Sequence, residues 1–400
     1  MIEVITSNEP RDFVNSVLRF RDDNSQFWWD TTGRMFSKLL KYAGYSTAEQ
    51  RWRSPGTPDS TPIDFSWEWG RDNQAIVRYS FEPIGPHAGT ELDPLNRFAT
   101  NEWIIKLKQQ NMVPRLDLEW YEHFTRQILQ HDNRTAKTVD RFVEETTPKA
   151  GTVVALDIEK TGPVMKIYIY PGLKAEELGI SNLDLVESSI LSLPPDQLKS
   201  LNPEPLLEFL REGTNKYNFE TGILAIDCLV PSDARIKVYT RARYTTFEYM
   251  MDCITMGGRL YISTEAIKDL EDFWRTFLGD ASDVLPEDVP GRASPGFYYT
   301  LSCGKAILPK VYISPQYFCK SDVDVLSRLR KFFSTRRSDQ MMDNYEAAVF
   351  DIFGTKTLES RCGSHYYIGC ALAKGQLRVV TYLSPQTFDC EKEKANVDES

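Results

Sequence analysis

The sequence predicts an α/β chain of the α+β kind: an antiparallel ten-stranded β-barrel with a polar lumen and an outer ring of helices. Three observations predict it. Strand-like runs come in five adjacent pairs, helical periodicity fills the intervals between pairs, and within the pairs one face is apolar while the other is polar. The 400 residues are read as one domain, because a repeated architecture is not to be cut at its repeats.

The first pair is PIDFSWEW (Pro62–Trp69) and AIVRYSFEP (Ala75–Pro83), joined by a Gly-Arg-Asp-Asn turn. The second is TVVALDI from Thr152 and VMKIYIYP from Val164, turning around Gly162. The third, GILAIDCLV from Gly222 and ARIKVYTR from Ala234, is joined through Pro231. GFYYTLSCG from Gly296 with PKVYISP from Pro309, and HYYIGCALA from His365 with QLRVVTYLSP from Gln376, complete the set.

Helical periodicity runs over roughly 113–146, 175–212, 246–278 and 321–352, with a further segment at about 10–50 ahead of the first pair. Leu116, Leu118, Trp120, Phe124 and Ile128 mark one apolar stripe. The unit is thus helix, strand, strand, helix, five times over. Second strands recur about every 70 residues, at Lys166, Lys237, Lys310 and Arg378. The tail at about 386–400 is expected to be flexible.

Alternate residues of a strand point to opposite faces, so parity sorts the side chains. Ile63, Phe65, Trp67 and Trp69 oppose Asp64, Ser66 and Glu68; Val77, Tyr79 and Phe81 oppose Arg78 and Ser80. Met165, Ile167 and Ile169 oppose Lys166, Tyr168 and Tyr170, and the pattern of Lys or Arg followed two residues later by Tyr returns at Lys237 and Tyr239 and at Lys310 and Tyr312. Five helical segments must bury their stripes against the apolar face, which puts them outside. Ten strands can then close, with the cationic and phenolic face lining a chamber. An open sheet with that face in water is the competing arrangement.

Composition excludes several classes. A net charge of −10 argues against a nucleic-acid backbone as partner. No apolar run approaches the roughly 20 residues of a membrane helix, and MIEVITSNEPRDF lacks a secretory pattern, so a cytoplasmic protein is expected. Seven cysteines without a CxxC pair read as reduced thiols, and four scattered histidines support neither a zinc site nor a histidine triad.

Arg78, Lys166, Arg235, Lys237 and Lys310, with Arg378 as a further candidate, concentrate positive charge where no acidic motif balances it. Such a lining suits a diphosphate. No GxxxxGK[ST] or GxGxxG loop offers a backbone cradle for a nucleotide. Tyr168, Tyr239, Tyr312 and Tyr382 offer hydroxyls to phosphate and π faces to a cation. An allylic diphosphate needs both, with water excluded from the carbocation. Asp22-Asp23 and Asp322-Val-Asp324 are weak metal motifs; each is equally expected at a helix start. No obligatory metal or cofactor is expected, though divalent ions can stimulate turnover by binding released diphosphate.

PIDFSWEW, IVRYSFEP, DPLN, KIYIYP, RIKVYTR, PKVYISP and TYLSP, in that order, resemble the signature strands of the dimethylallyltryptophan-synthase family of fungal aromatic prenyltransferases. The resemblance covers nearly the whole chain. It implies the barrel of repeated ABBA units and metal-independent prenylation of an aromatic small molecule, with an indole or tryptophan-derived acceptor, in a monomer or homodimer. It implies diphosphate binding by Arg78, Lys166, Arg235, Lys237 and Lys310, and a cation shield of Tyr168, Tyr239, Tyr312 and Tyr382. Asp64 stands where indole-specific members usually carry glutamate, and Lys310 where glutamine is frequent. Lys149 matches the lysine the resemblance implies as the base for the final ring proton; a solvated surface lysine is the competing reading. A phenolic polyketide or quinolone acceptor, and a ligand-binding barrel without turnover, are the competing functions.

Overall fold

The alternation between apolar and polar residues decides the architecture, because each strand has one face to bury and one to keep wet. In the computed structural model, which describes residues 52–69, 75–90, 92–93, 95–130, 150–159, 162–242, 246–278, 295–336, 339–373 and 376–386, ten strands close into one antiparallel barrel. They are β1 (Ile63–Trp69), β2 (Ala75–Phe81), β3 (Thr152–Glu159), β4 (Gly162–Ile169), β5 (Glu220–Asp227), β6 (Arg235–Arg241), β7 (Gly296–Ser302), β8 (Leu308–Ile313), β9 (His365–Ala373) and β10 (Gln376–Leu383). Each strand pairs with its neighbour in sequence, and β1 pairs with β10 to close the ring, Phe65 opposite Leu383 and Ser66 opposite Tyr382. The open-sheet alternative is thereby excluded.

The helices are α1 (Ala99–Gln109), α2 (Glu119–Leu129), α3 (Gly172–Leu178), α4 (Asn182–Leu191), α5 (Pro195–Leu201), α6 (Glu204–Lys216), α7 (Phe247–Ile254), α8 (Thr264–Leu278), α9 (Asp322–Phe333), α10 (Asp339–Phe353) and α11 (Thr355–Ser360). Helix α1 was not among the expected segments, although Trp103, Ile104 and Leu107 form its buried stripe. The single segment expected over 175–212 is four helices: Gly179 ends α3 in the left-handed conformation, and prolines stand at the starts of α5 and α6. The segment expected at 10–50, Asp22-Asp23, most of 130–146 and the tail lie outside the described residues.

One continuous apolar cluster joins the outer face of the strands to the helices. Trp69 stacks on Phe333 of α9 with ring centroids 4.3 Å apart, and Phe81 meets Trp103 of α1 edge-on at 5.1 Å. Each such side chain contributes about 1.5–3 kcal/mol by leaving water. Because this core lies outside the barrel, the lumen is free to be polar. Among the described residues no helix is long and apolar enough to cross a membrane.

Candidate active site

Antiparallel pairing makes all even-numbered strands run the same way, so residues at equal positions along β2, β4, β6, β8 and β10 form layers across the lumen. The first layer is charged. Arg78, Lys166, Arg235, Lys237, Lys310 and Arg378 all stand in it, and Lys166, Lys237 and Lys310 are buried. The expectation that nothing acidic balances them is overturned. Glu68 pairs with both Arg78 and Arg378, Asp157 with Arg78 at 3.0 Å and with Lys166, and Asp227 with Arg235 and, at 3.2 Å, with Lys237. The reason is register: Arg78 lies directly across from Asp157, and Lys166 from Asp227. Parity applied to LDI and IDC on the first strands of pairs two and three would have found both aspartates.

Six cations against three carboxylates leave this layer electropositive, and burial sets how much charge it holds. Burial alone would raise the Asp157 carboxyl, but Lys166 and Arg78 outweigh it and hold it well below the usual range. Burial pushes the Lys237 ammonium down to about 7, with Asp227 opposing and Lys166 and Arg235 adding to the fall. Lys310 is also pushed down to about 7, by burial and then by Arg78.

The second layer is phenolic. Tyr239 lies 5.8 Å from Tyr168, 4.8 Å from Tyr298 and 6.3 Å from Tyr312, and Tyr382 lies 5.5 Å from Tyr312, ring centre to ring centre. Lys310 joins the two layers: its Nζ donates to Tyr382 Oη at 2.9 Å and stands 5.0 Å from the centre of the Tyr312 ring. Gly369 makes room for it, since a Cβ there would come within 2.6 Å of Lys310 Cε. Burial pushes the phenols of Tyr168, Tyr239, Tyr312 and Tyr382 up, so they stay neutral donors. Tyr298 was missed by the sequence reading because its lysine sits on the neighbouring strand, opposite it at Lys310.

Beyond the tyrosines a cavity of about 350 Å³ opens, walled in part by Asp64, Ser80, Tyr170, Arg241, Tyr366 and Tyr367. Asp64 is buried in this wall. Tyr366 Oη donates to its Oδ2 at 2.5 Å, whereas Oδ1 is buried without a well-formed hydrogen bond. Burial raises the Asp64 carboxyl to about 6, against the pull of Tyr366 and, more weakly, Ser80. It forms no ion pair with Arg78 or Lys166, because it sits opposite Ser80, one alternation away from the charged layer. Arg241 reaches the same cavity and donates to Tyr367 Oη at 2.9 Å. Tyr366 escaped strand parity because a β-bulge intervenes: Tyr382 pairs with Tyr367 and Leu383 with His365, leaving Tyr366 as the extra residue. Lys149 lies outside the described residues. Among those residues no three His, Cys, Asp or Glu side chains gather as metal ligands.

A buried charged floor, a phenolic belt and an acid-bearing cavity in series within one barrel can hold an anion, shelter a cation and orient an aromatic ring. The family model described as tryptophan dimethylallyltransferase matches residues 47–348. The chain belongs to the tryptophan dimethylallyltransferase family. Like other enzymes of this family, it is an aromatic prenyltransferase. Relatives in the tryptophan dimethylallyltransferase family include 4-O-dimethylallyl-L-tyrosine synthase of Claviceps purpurea, 30% identical over 90% of this chain and 88% of that protein. A second is 7-dimethylallyltryptophan synthase of Aspergillus fumigatus, 27% identical over 87% of this chain and 82% of that protein. Among solved structures, AnaPT from Neosartorya fischeri superposes with a TM-score of 0.80 at 21% identity, covering 94% of this chain and 92% of that one. NotF in complex with brevianamide F and DMSPP gives 0.79 at 17%, covering 96% of this chain and 97% of that one. These likenesses establish the shared barrel.

Proposed function

We propose that this prenyltransferase transfers a dimethylallyl group from its diphosphate to a tryptophan-derived indole, without a metal, and that the three layers divide the work. The charged layer binds the diphosphate, with Lys237 and Lys310 gaining their protons as it enters. The C–O bond of the donor breaks, and its electron pair leaves with the diphosphate. The remaining allyl cation is surrounded by Tyr168, Tyr239, Tyr312 and Tyr382, whose π faces stabilise it and whose bulk excludes water. Ring π electrons form the new bond to the cation, and the ring then loses a proton to a base.

The observation that carries the acceptor half is Asp64 Oδ1, a buried carboxylate oxygen at the cavity wall without a well-formed hydrogen bond. A buried acceptor in that state is costly unless a ligand supplies a donor. An indole N–H supplies one, and the carboxylate stabilises the positive charge that grows on the ring during attack. A tyrosine phenol is the second reading: its O–H suits the same oxygen, and the relative at 30% identity is named for prenylating tyrosine.

The test is incubation with dimethylallyl diphosphate in excess EDTA against tryptophan, tyrosine, a tryptophan-containing cyclic dipeptide, simple phenols and quinolones. Prenylation of an indole in EDTA is expected. Turnover restored only by magnesium would overturn the metal-free reading, and exclusive transfer to phenols or quinolones the indole one.

A further inference from the structure

Two consecutive tyrosines, Tyr366 and Tyr367, both line the cavity. Regular strand alternation forbids this, so whatever holds the β9 bulge also holds Tyr366 against Asp64. The backbone just before the bulge is tied to a single buried carboxylate on the far side of the barrel wall. Asp322, in the first turn of α9, is 1% exposed. Its Oδ2 accepts from the backbone N–H of Gly363 at 3.1 Å and of Ser364 at 2.9 Å, and its Oδ1 from that of His365 at 2.8 Å. The His365 ring completes the clamp: Nδ1 lies 2.8 Å from Asp322 Oδ1, and Nε2 meets Tyr345 Oη at 2.9 Å. Tyr345 Oη in turn lies 2.9 Å from Thr381 Oγ1 on β10, across from the bulge. None of these groups reaches the lumen.

We propose that Asp322 and His365 are positioning residues for the acceptor, fixing the β9 bulge so that Tyr366 is aimed at Asp64. A helix needs no such arrangement at its start. Ser321 already caps α9, its hydroxyl accepting from the Asp324 N–H at 3.3 Å, and Asp324 pairs with Arg328. The Asp322 carboxylate instead accepts from the three residues ahead of Tyr366. Charge-assisted bonds of this kind are short and directional, and a displacement of about 1 Å at a reacting group costs on the order of a hundredfold in rate. Arg78, Lys166, Arg235 and Lys237 of the donor layer are held by ion pairs to Asp157 and Asp227, on strands away from the clamp.

This inference rests on the acceptor role of Asp64, and a double-mutant cycle separates the two. Tyr366→Phe removes the hydroxyl but leaves the bulge; Asp322→Asn loosens the bulge but leaves the hydroxyl. Each alone is expected to lower kcat/KM for the acceptor by about tenfold or more while Kd for a thiolo analogue of the donor stays within about twofold. Combined, they are expected to lose little beyond the larger single loss, because both act through one contact. A merely structural Asp322 would give additive losses, or would weaken donor binding equally, and either result overturns the proposal. So does full acceptor efficiency in Asp322→Asn. Should that variant fail to fold, His365→Gln, which leaves the three backbone bonds to Asp322 in place, takes its place in the same cycle with the same deciding outcomes. If Asp64→Asn itself turns over normally, it is the acceptor reading that falls; if Asp64→Asn is impaired and Tyr366→Phe is not, only the positioning proposal falls.

Discussion

Donor binding should weaken steeply as pH rises through neutrality, because two of the lysines in the charged layer are held near half-charge in the empty chamber. Lys237 and Lys310 each titrate at about 7, against an ordinary lysine value of about 10.4. Their depressed values mean that the empty site releases protons as pH passes 7, while a bound diphosphate favours the charged forms and takes the protons back. Each lysine is about nine-tenths charged at pH 6 and about one-tenth at pH 8, so each contributes about a tenfold loss of affinity across that interval. Together they predict about a hundredfold. Titration calorimetry with the thiolo donor analogue, repeated in buffers of different ionisation enthalpy, reads both the affinity and the proton uptake. The ligand loses its own last proton near pH 6, so the decisive comparison is Lys310→Gln with the same ligand, where the dependence should fall to about tenfold and the uptake at high pH by about one proton. Affinity that is flat or rises from pH 7 to 8, with no proton uptake, would refute the reasoning and show that Asp157 and Asp227 keep the layer fully charged without a ligand.

Asp64→Asn keeps the shape of the acceptor wall and removes its charge, so acceptor turnover should fall about a hundredfold with donor affinity unchanged; near-normal turnover would sink the assignment. Gly369→Ala places a methyl where the end of Lys310 now lies, and should weaken the donor analogue at unchanged thermal stability, the flexible lysine giving way before the strand does. Glu82 is pushed up to about 7 by burial, with Asn96 and Trp52 donating to the same oxygen. A carboxyl raised in the folded state adds stability at low pH that is lost as pH climbs through 7. Tm should therefore fall from pH 5 to 8 and fall less in Glu82→Gln, and identical slopes would exclude Glu82 as the cause.

Much of this site could be read from alternation alone. Once β2, β4, β6 and β8 are in register, Arg78, Lys166, Lys237 and Lys310 fall in one layer and Tyr168, Tyr239 and Tyr312 in the next, because period-two geometry leaves no other choice. What escaped the reading were relations between strands. Asp157 and Asp227 matter through the residues opposite them, and Tyr298 through Lys310 on the next strand. Tyr366 was hidden for a different reason: a bulge breaks the alternation that makes strands legible, and its cause, Asp322, is 44 positions upstream on a helix. In the sequence Asp322-Val-Asp324 looked like either a metal motif or a helix start. It opens a helix, but only Asp324 serves that helix.

The bond between Tyr366 and Asp64 joins residues 302 positions apart, across the seam where the first and last hairpins meet. The chemistry-bearing cavity therefore cannot exist on a growing chain until β9 and β10 have been made. Until β9 and β10 arrive, β1 waits with an unpaired edge of its own, carrying four large apolar side chains, Ile63, Phe65, Trp67 and Trp69, and such edges recruit other chains. Chains cut short before residue 365 should be found with chaperones or in aggregates, and activity during synthesis should appear all at once, only after β9 and β10 have emerged to close the barrel.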